Sequence, residues 1–146
     1  MNKNVTSDFH SNIENIWDKI QDVNTLREIC KPKASFIACD DSPIQWEEGK
    51  TFVFKMYLHG FLPVGRHTIN VVKMNKKSRE IDTKEYDNTV VIWNHYIKMK
   101  EISQQVTRYT DTVDLYAGCL TSIAAWWTLK FYKHRQRKWQ KIAKSL

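Results

Sequence analysis

A chain of 146 residues with six each of Trp, Tyr and Phe, but only four Gly and three Pro, can bury a core without disulfides or metal and is neither disordered nor collagen-like. Its net charge of +7 is local: no acidic residue follows Asp114, and Lys130, Lys133, Arg135, Arg137, Lys138, Lys141 and Lys144 all lie in that tail. Cys30, Cys39 and Cys119 lack zinc-ligand spacing, and no apolar run reaches the length of a signal peptide or a membrane span, so one cytoplasmic domain with reduced thiols, spanning 1–146, is expected.

In chain order, Val5 to His10 reads as a strand with Val5, Ser7 and Phe9 on one face. Ser11 followed by Glu14 is a capping-box pattern, which predicts Ser11 as the cap of a helix from Asn12 to Gln21. Ile13, Ile16, Trp17 and Ile20 would form its apolar face. A second short helix covers Asn24 to Cys30 and stops before Pro32. The period then changes to two. Ser35 to Asp40 reads as a strand before a turn at Asp41-Ser42-Pro43, and Thr51 to Leu58 places Phe52, Phe54, Met56 and Leu58 on one side. Arg66 to Met74, Arg79 to Tyr86, Val90 to Lys100 and Val106 to Tyr116 follow as strands joined by polar turns. The apolar stretch His59 to Gly65 reads either as a lid or as a strand connection. From about Leu120 to Leu146 there is no Gly or Pro, and the pattern is helical, with Leu120, Ala124, Trp127, Phe131 and Ile142 as the apolar stripe. This order predicts an α+β fold: a curved antiparallel sheet wrapped around a long C-terminal helix, with two short helices after the first strand.

The last two strands carry the most chemical information. Trp93, His95 and Met99 share one face with Val91 and Ile97; Tyr109 and Asp111 share one with Thr107, Val113 and Leu115. Folding the hairpin at Ser103 sets His95 opposite Asp111, an imidazole and a carboxylate on a surface otherwise built to face inward. A turn near Lys76 likewise sets His67 opposite Glu85. A slip of one residue would reverse either strand, so at least one of these four is expected to face water. The His95–Asp111 pair reads as a structural tether, as a polar anchor for a ligand, or as a general base with its orienting carboxylate. None of the four stands at an i, i+2 or i, i+4 ligand spacing with another, so no metal is expected.

Arg135 falls within the helical stripe. It would pair with an interior carboxylate, hold an acidic ligand group, or reach water with only its stem packed. Lys130, Lys133, Arg137, Lys141 and Lys144 recur at helical spacing with Trp126, Phe131 and Trp139 nearby. That stripe reads as a solvated face or as a weak contact for an anionic membrane surface; no nucleic-acid motif accompanies it.

Together with the order of elements, Ile16-Trp17-Asp18, Trp46-Glu47-Glu48-Gly49, Trp93-Asn94-His95, Tyr109-Thr110-Asp111, Ala117-Gly118-Cys119-Leu120-Thr121 and Phe131-Tyr132-Lys133-His134-Arg135-Gln136-Arg137 resemble the START-like (SRPBCC) superfamily. That group has the helix-grip fold and includes lipid carriers, receptors and polyketide cyclases. The resemblance implies a mostly apolar cavity between sheet and helix. Binding of a small hydrophobic or amphipathic molecule is expected there, without a cofactor, or else cyclase or dehydratase chemistry at His95 and Asp111. Phe54, Met56, Trp93, Met99, Tyr109, Trp127 and Phe131 would supply the walls, and His67, Glu85, His95, Asp111 and Arg135 the polar contacts.

Overall fold

The computed structural model describes residues 1–39 and 44–146, so the turn expected at Asp41-Ser42-Pro43 and the strand end expected at Asp40 lie outside the described residues. Strand β1 (Asn2–Phe9) leads to α1 (Ile13–Ile20) and α2 (Val23–Cys30). Then come β2 (Ala34–Ala38), β3 (Thr51–Leu58), β4 (Leu62–Asn75), β5 (Glu80–Tyr86), β6 (Ile92–Ser103) and β7 (Val106–Tyr116). A 3-10 turn at Gly118–Leu120 precedes the long helix α3 (Thr121–Ala143). The sheet has seven strands in the order β1-β7-β6-β5-β4-β3-β2, and every described neighbour pair is antiparallel. Helix α3 packs against β1, β7 and α2. The expected α+β architecture of a curved sheet around a C-terminal helix is the observed one.

Alternation decides which side of each strand meets the helix. On β3, Phe52, Phe54 and Met56 are buried while Thr51 and Lys55 are exposed; on β7, Thr107, Tyr109, Asp111, Val113 and Leu115 are buried in turn. The heart of the core is an aromatic group: Phe9 lies 4.8 Å from Tyr109 and 5.6 Å from Trp139 between ring centroids, and both pairs are stacked. Burying side chains of this size contributes about 2–3 kcal/mol each.

Several local expectations need correction. The cap of α1 is Asn12, whose side chain accepts from the Asn15 amide at 2.9 Å. Ser11 is drawn inward, where its carbonyl accepts the Thr107 hydroxyl at 2.9 Å, and Glu14 turns outward to Arg79. The stretch His59 to Gly65 is not a lid. Leu62 to Gly65 belong to β4, and His59 and Gly60 take positive φ (53° and 81°), which closes a three-residue hairpin turn.

The buried stripe of α3 is Ala125, Thr128, Phe131, Tyr132, Arg135, Gln136, Trp139 and Ala143. Leu120 is exposed, and Ala124, Trp127 and Ile142 lie at the border of the buried face. The face is turned by roughly one residue from the hydropathy stripe because it buries polar side chains that bond into the interior.

Both hairpin registers differ from expectation by two residues. Across β6 and β7, Ile97 pairs with Asp111, His95 with Val113 and Trp93 with Leu115; across β4 and β5, Ile69 pairs with Glu85 and Val71 with Thr83. Each ladder contains an irregularity, at Glu101/Ser103 and at Val71/Lys73. An even shift keeps every side chain on its face.

Candidate functional site

Strands β4 to β7 bring their inward-facing ionisable residues into one line. His67 donates from Nδ1 to Asp87 Oδ2 at 3.1 Å and from Nε2 to Glu85 Oε1 at 2.8 Å. Glu85 Oε2 accepts the Thr83 hydroxyl at 2.6 Å and stands 3.6 Å from His95 Nδ1. His95 Nε2 donates to Asp111 Oδ1 at 2.6 Å, and Asp111 Oδ2 accepts from Gln136 Nε2 at 2.9 Å. Gln136 then fastens β1, donating to the Val5 carbonyl and accepting the Ser7 hydroxyl. The series Asp87–His67–Glu85–His95–Asp111–Gln136 therefore crosses the sheet from β4 to β7 and enters α3.

The expectation that one of the four paired residues faces water is overturned. His67 is 1 % exposed, Glu85 8 %, His95 5 % and Asp111 1 %. Although neither pair is directly opposite in the ladder, diagonal neighbours on one face remain within reach of side chains this long.

Burial opposes charge on His67, but its hydrogen bonds to Asp87 and Glu85 outweigh that and raise its pKa from 6.5 to about 9. His95 is raised for the same reason: burial works against the charge, while the bond to Asp111 and the nearby Glu85 carboxylate favour it more strongly. Burial would also push Glu85 and Asp87 up, yet their imidazole partners, and for Asp87 the Val90 and Thr89 amides, hold both below the usual carboxylate range. His67 is thus an imidazolium ion at neutral pH, and both rings have both nitrogens facing carboxylate oxygens. At His67 no lone pair is left to take a metal ion or a substrate proton. Among the described residues, no group of three or more His, Cys, Asp and Glu side chains is placed to hold a metal.

A cavity of about 70 Å³ lies between this line, α2 and α3. Of the expected site residues, His67, Glu85, Trp93, His95, Phe131 and Arg135 line it. Phe54, Met56, Met99 and Tyr109 are buried core instead of wall, and Asp111 stands one layer behind His95. Trp127, half-buried, stacks on Phe131 at 4.8 Å without lining the space. The remaining wall comes largely from residues that sequence reasoning places in the core or leaves unassigned: Ile20, Leu26 and Ile29 from the short helices, Phe36, Trp46, Ile69, Ile81 and Ile97 from the sheet side, and Tyr132 and Trp139 from α3. Sequence reasoning sees Asp87 only as part of a turn. An Asp opening an Asx-type turn is the available signal, and here its Oδ1 accepts from the Thr89 and Val90 amides while Oδ2 turns inward to His67.

No family model and no curated protein matches the sequence. Solved structures do. The Zhui aromatase/cyclase from Streptomyces sp. R1128 superposes with a TM-score of 0.75 at 11% identity, covering 99% of this chain and 93% of that one. A protein from Mycobacterium smegmatis gives 0.74 at 12% identity, over 99% and 91% of the two chains. One from Thermus thermophilus gives 0.74 at 8%, over 99% and 98%. The chain has the helix-grip fold. At these identities the likeness extends to the fold and not to chemistry. Within this helix-grip chain, no helix among the described residues is long and apolar enough to cross a membrane.

Proposed function

We propose that the protein binds a small amphipathic molecule in the cavity between sheet and α3. The observation that carries this reading is the wall itself: Ile20, Leu26, Ile29, Ile69, Ile81 and Phe131 make it apolar, while His67, Glu85, His95 and Arg135 reach the same space. Binding sites combine a greasy lining with a few fixed polar groups in this way. An apolar cavity of about 150 Å³ admits benzene. The present space is smaller, so a ligand of that size enters by displacing wall side chains, and Leu26 and Trp46 are only half-buried.

The cyclase or dehydratase alternative with His95 as base has less support. An imidazole whose two nitrogens already face Asp111 and Glu85 is poorly placed to accept a substrate proton.

The same proposal includes weak contact of the outer face of α3 with an anionic membrane surface. Ile123 is 67% exposed and Trp126 59%, and the Lys130 ammonium stands 4.1 Å from the Trp126 ring. Lys133, Arg137, Lys141 and Lys144 continue that face, all exposed.

Native mass spectrometry of protein purified from cells tests the binding reading. A small-molecule adduct lost on unfolding is the expected result. Bare-chain mass in every preparation, including after incubation with amphipathic compounds, would remove it.

A further inference from the structure

Every charged group on the cavity wall is accounted for except one. Arg135, 8 % exposed, lines the cavity from the middle of α3. Among the described residues it has no ion pair and no hydrogen bond, and its Nε is fully enclosed without a partner. Its guanidinium lies 4.6 Å from the Tyr132 ring and 5.7 Å from the Phe131 ring. Those faces hold the charge by cation–π attraction but leave its N–H edges unmet. The Trp139 indole N–H, on the next turn of the same helix and on the same wall, is enclosed without an acceptor too.

None of the nearby carboxylates is bonded to Arg135; each is turned to other donors. Asp111 uses one oxygen for His95 and the other for Gln136. Glu85 uses one for His67 and the other for Thr83. Asp87 is divided between His67 and the Thr89 and Val90 amides. A buried arginine left in this state is costly by several kcal/mol, and an acceptor entering the cavity removes that cost.

We infer that Arg135 is the recognition residue for a carboxylate-bearing ligand, whose planar head pairs with the guanidinium edge while its apolar body rests on Ile29, Phe36, Ile69 and Trp93. This rests on the binding reading above and narrows it: the ligand is an amphipathic acid, not a neutral lipid. A planar guanidinium fork matches a carboxylate in two parallel hydrogen bonds, a fit that an alcohol cannot reproduce. The imidazole–carboxylate line then has a separate duty. It holds the strands, and none of its carboxylates bonds Arg135.

The test compares butanoate, octanoate and dodecanoate with their matching primary alcohols by titration calorimetry, using the full chain, Arg135→Met and Arg135→Lys. In the unaltered protein at least one acid is expected to bind about tenfold or more tighter than its alcohol, the range for a charge-assisted hydrogen bond. Arg135→Met is expected to lose that preference; Arg135→Lys, which keeps a charge but not the fork, should retain only part of it. Equal affinity for acid and alcohol in the unaltered protein, or a preference undiminished in Arg135→Met, overturns the carboxylate inference and leaves the cavity reading standing. Failure of both acids and alcohols to bind removes the cavity reading as well. The comparison in the unaltered protein decides the matter even if a variant does not fold.

Discussion

The His67 imidazolium makes stability depend on pH in a direction opposite to that of a protein held by surface carboxylates. His67 binds its proton with a pKa of about 9 in the fold against 6.5 as a reference. In the folded state the proton is kept after the unfolded chain has lost it, so stability from this group is complete below pH 6.5 and disappears as pH rises through 9. At ~1.4 kcal/mol per pH unit, the whole effect is worth about 3 kcal/mol. His95 is raised as well and adds to the same slope. Glu85 and Asp87, lowered from 4.5 and 3.8, contribute stability that is present above those values and lost as pH falls below them. The optimum therefore lies between about pH 5 and 6.5. Urea unfolding followed by tryptophan fluorescence at steps from pH 6.5 to 9 should show falling stability. Melting temperature should drop by about 6–12 °C for a chain of this size. His67→Gln starts less stable but has no proton to lose at that site, so its slope should be shallower by about 1.4 kcal/mol per pH unit. A flat or rising profile in the unaltered protein, or an equal slope in the variant, would refute the assignment of charge to this imidazole.

Two further perturbations separate the interior from the surface. Asp111→Asn removes the carboxylate that receives both His95 and Gln136 and leaves a buried imidazole short of its charged partner; a loss of about 3 kcal/mol in urea unfolding is expected, and a loss near zero would contradict the tether. Trp126→Ala, at an exposed position, should leave stability within about 0.5 kcal/mol. It should weaken sedimentation with vesicles containing phosphatidylserine, binding that itself declines with added salt. Equal binding to phosphatidylcholine vesicles, or indifference to salt, would rule out the anionic-surface contact.

What is legible in the sequence is parity, not position. Alternation sets His95 and Asp111 opposite each other and facing inward; only the second holds in the ladder, where Ile97 takes the place opposite Asp111. The contact survives because a shift of two residues preserves the face and leaves a diagonal that an imidazole can cross. The irregularity at Glu101/Ser103 that causes the shift lies next to the polar turn, where alternation carries no information. Helix α3 departs from its hydropathy pattern for a different reason. Its buried face includes Thr128, Arg135 and Gln136, while Leu120, Ile123 and Trp126 stand in solvent. A hydropathy stripe follows the large apolar residues and so turns away from the face that carries the chemistry. Phe54 and Tyr109 have the right face and still miss the cavity, since period two tells inward from outward but not how far along a strand the open space begins.

The buried line of charges also bears on why the fold tolerates so expensive an interior. Apolar residues of equal volume could stabilise such a core at least as well, so net stability is a weak reason for keeping the network. Register is a stronger one. Asp87, His67, Glu85, His95, Asp111 and Gln136 draw on β4, β5, β6, β7, α3 and the turn after β5, and each member satisfies the next. A slip of one residue in any of those strands would turn a charged side chain outward and strand its partner in the interior, an error with a cost that greasy side chains do not impose. Arg135 is the buried cation beside this line, without touching Glu85, Asp87 or Asp111. The helix therefore brings a positive charge to the cavity while its hydrogen-bonding edge stays unspent, and that separation is what frees the guanidinium to meet a ligand.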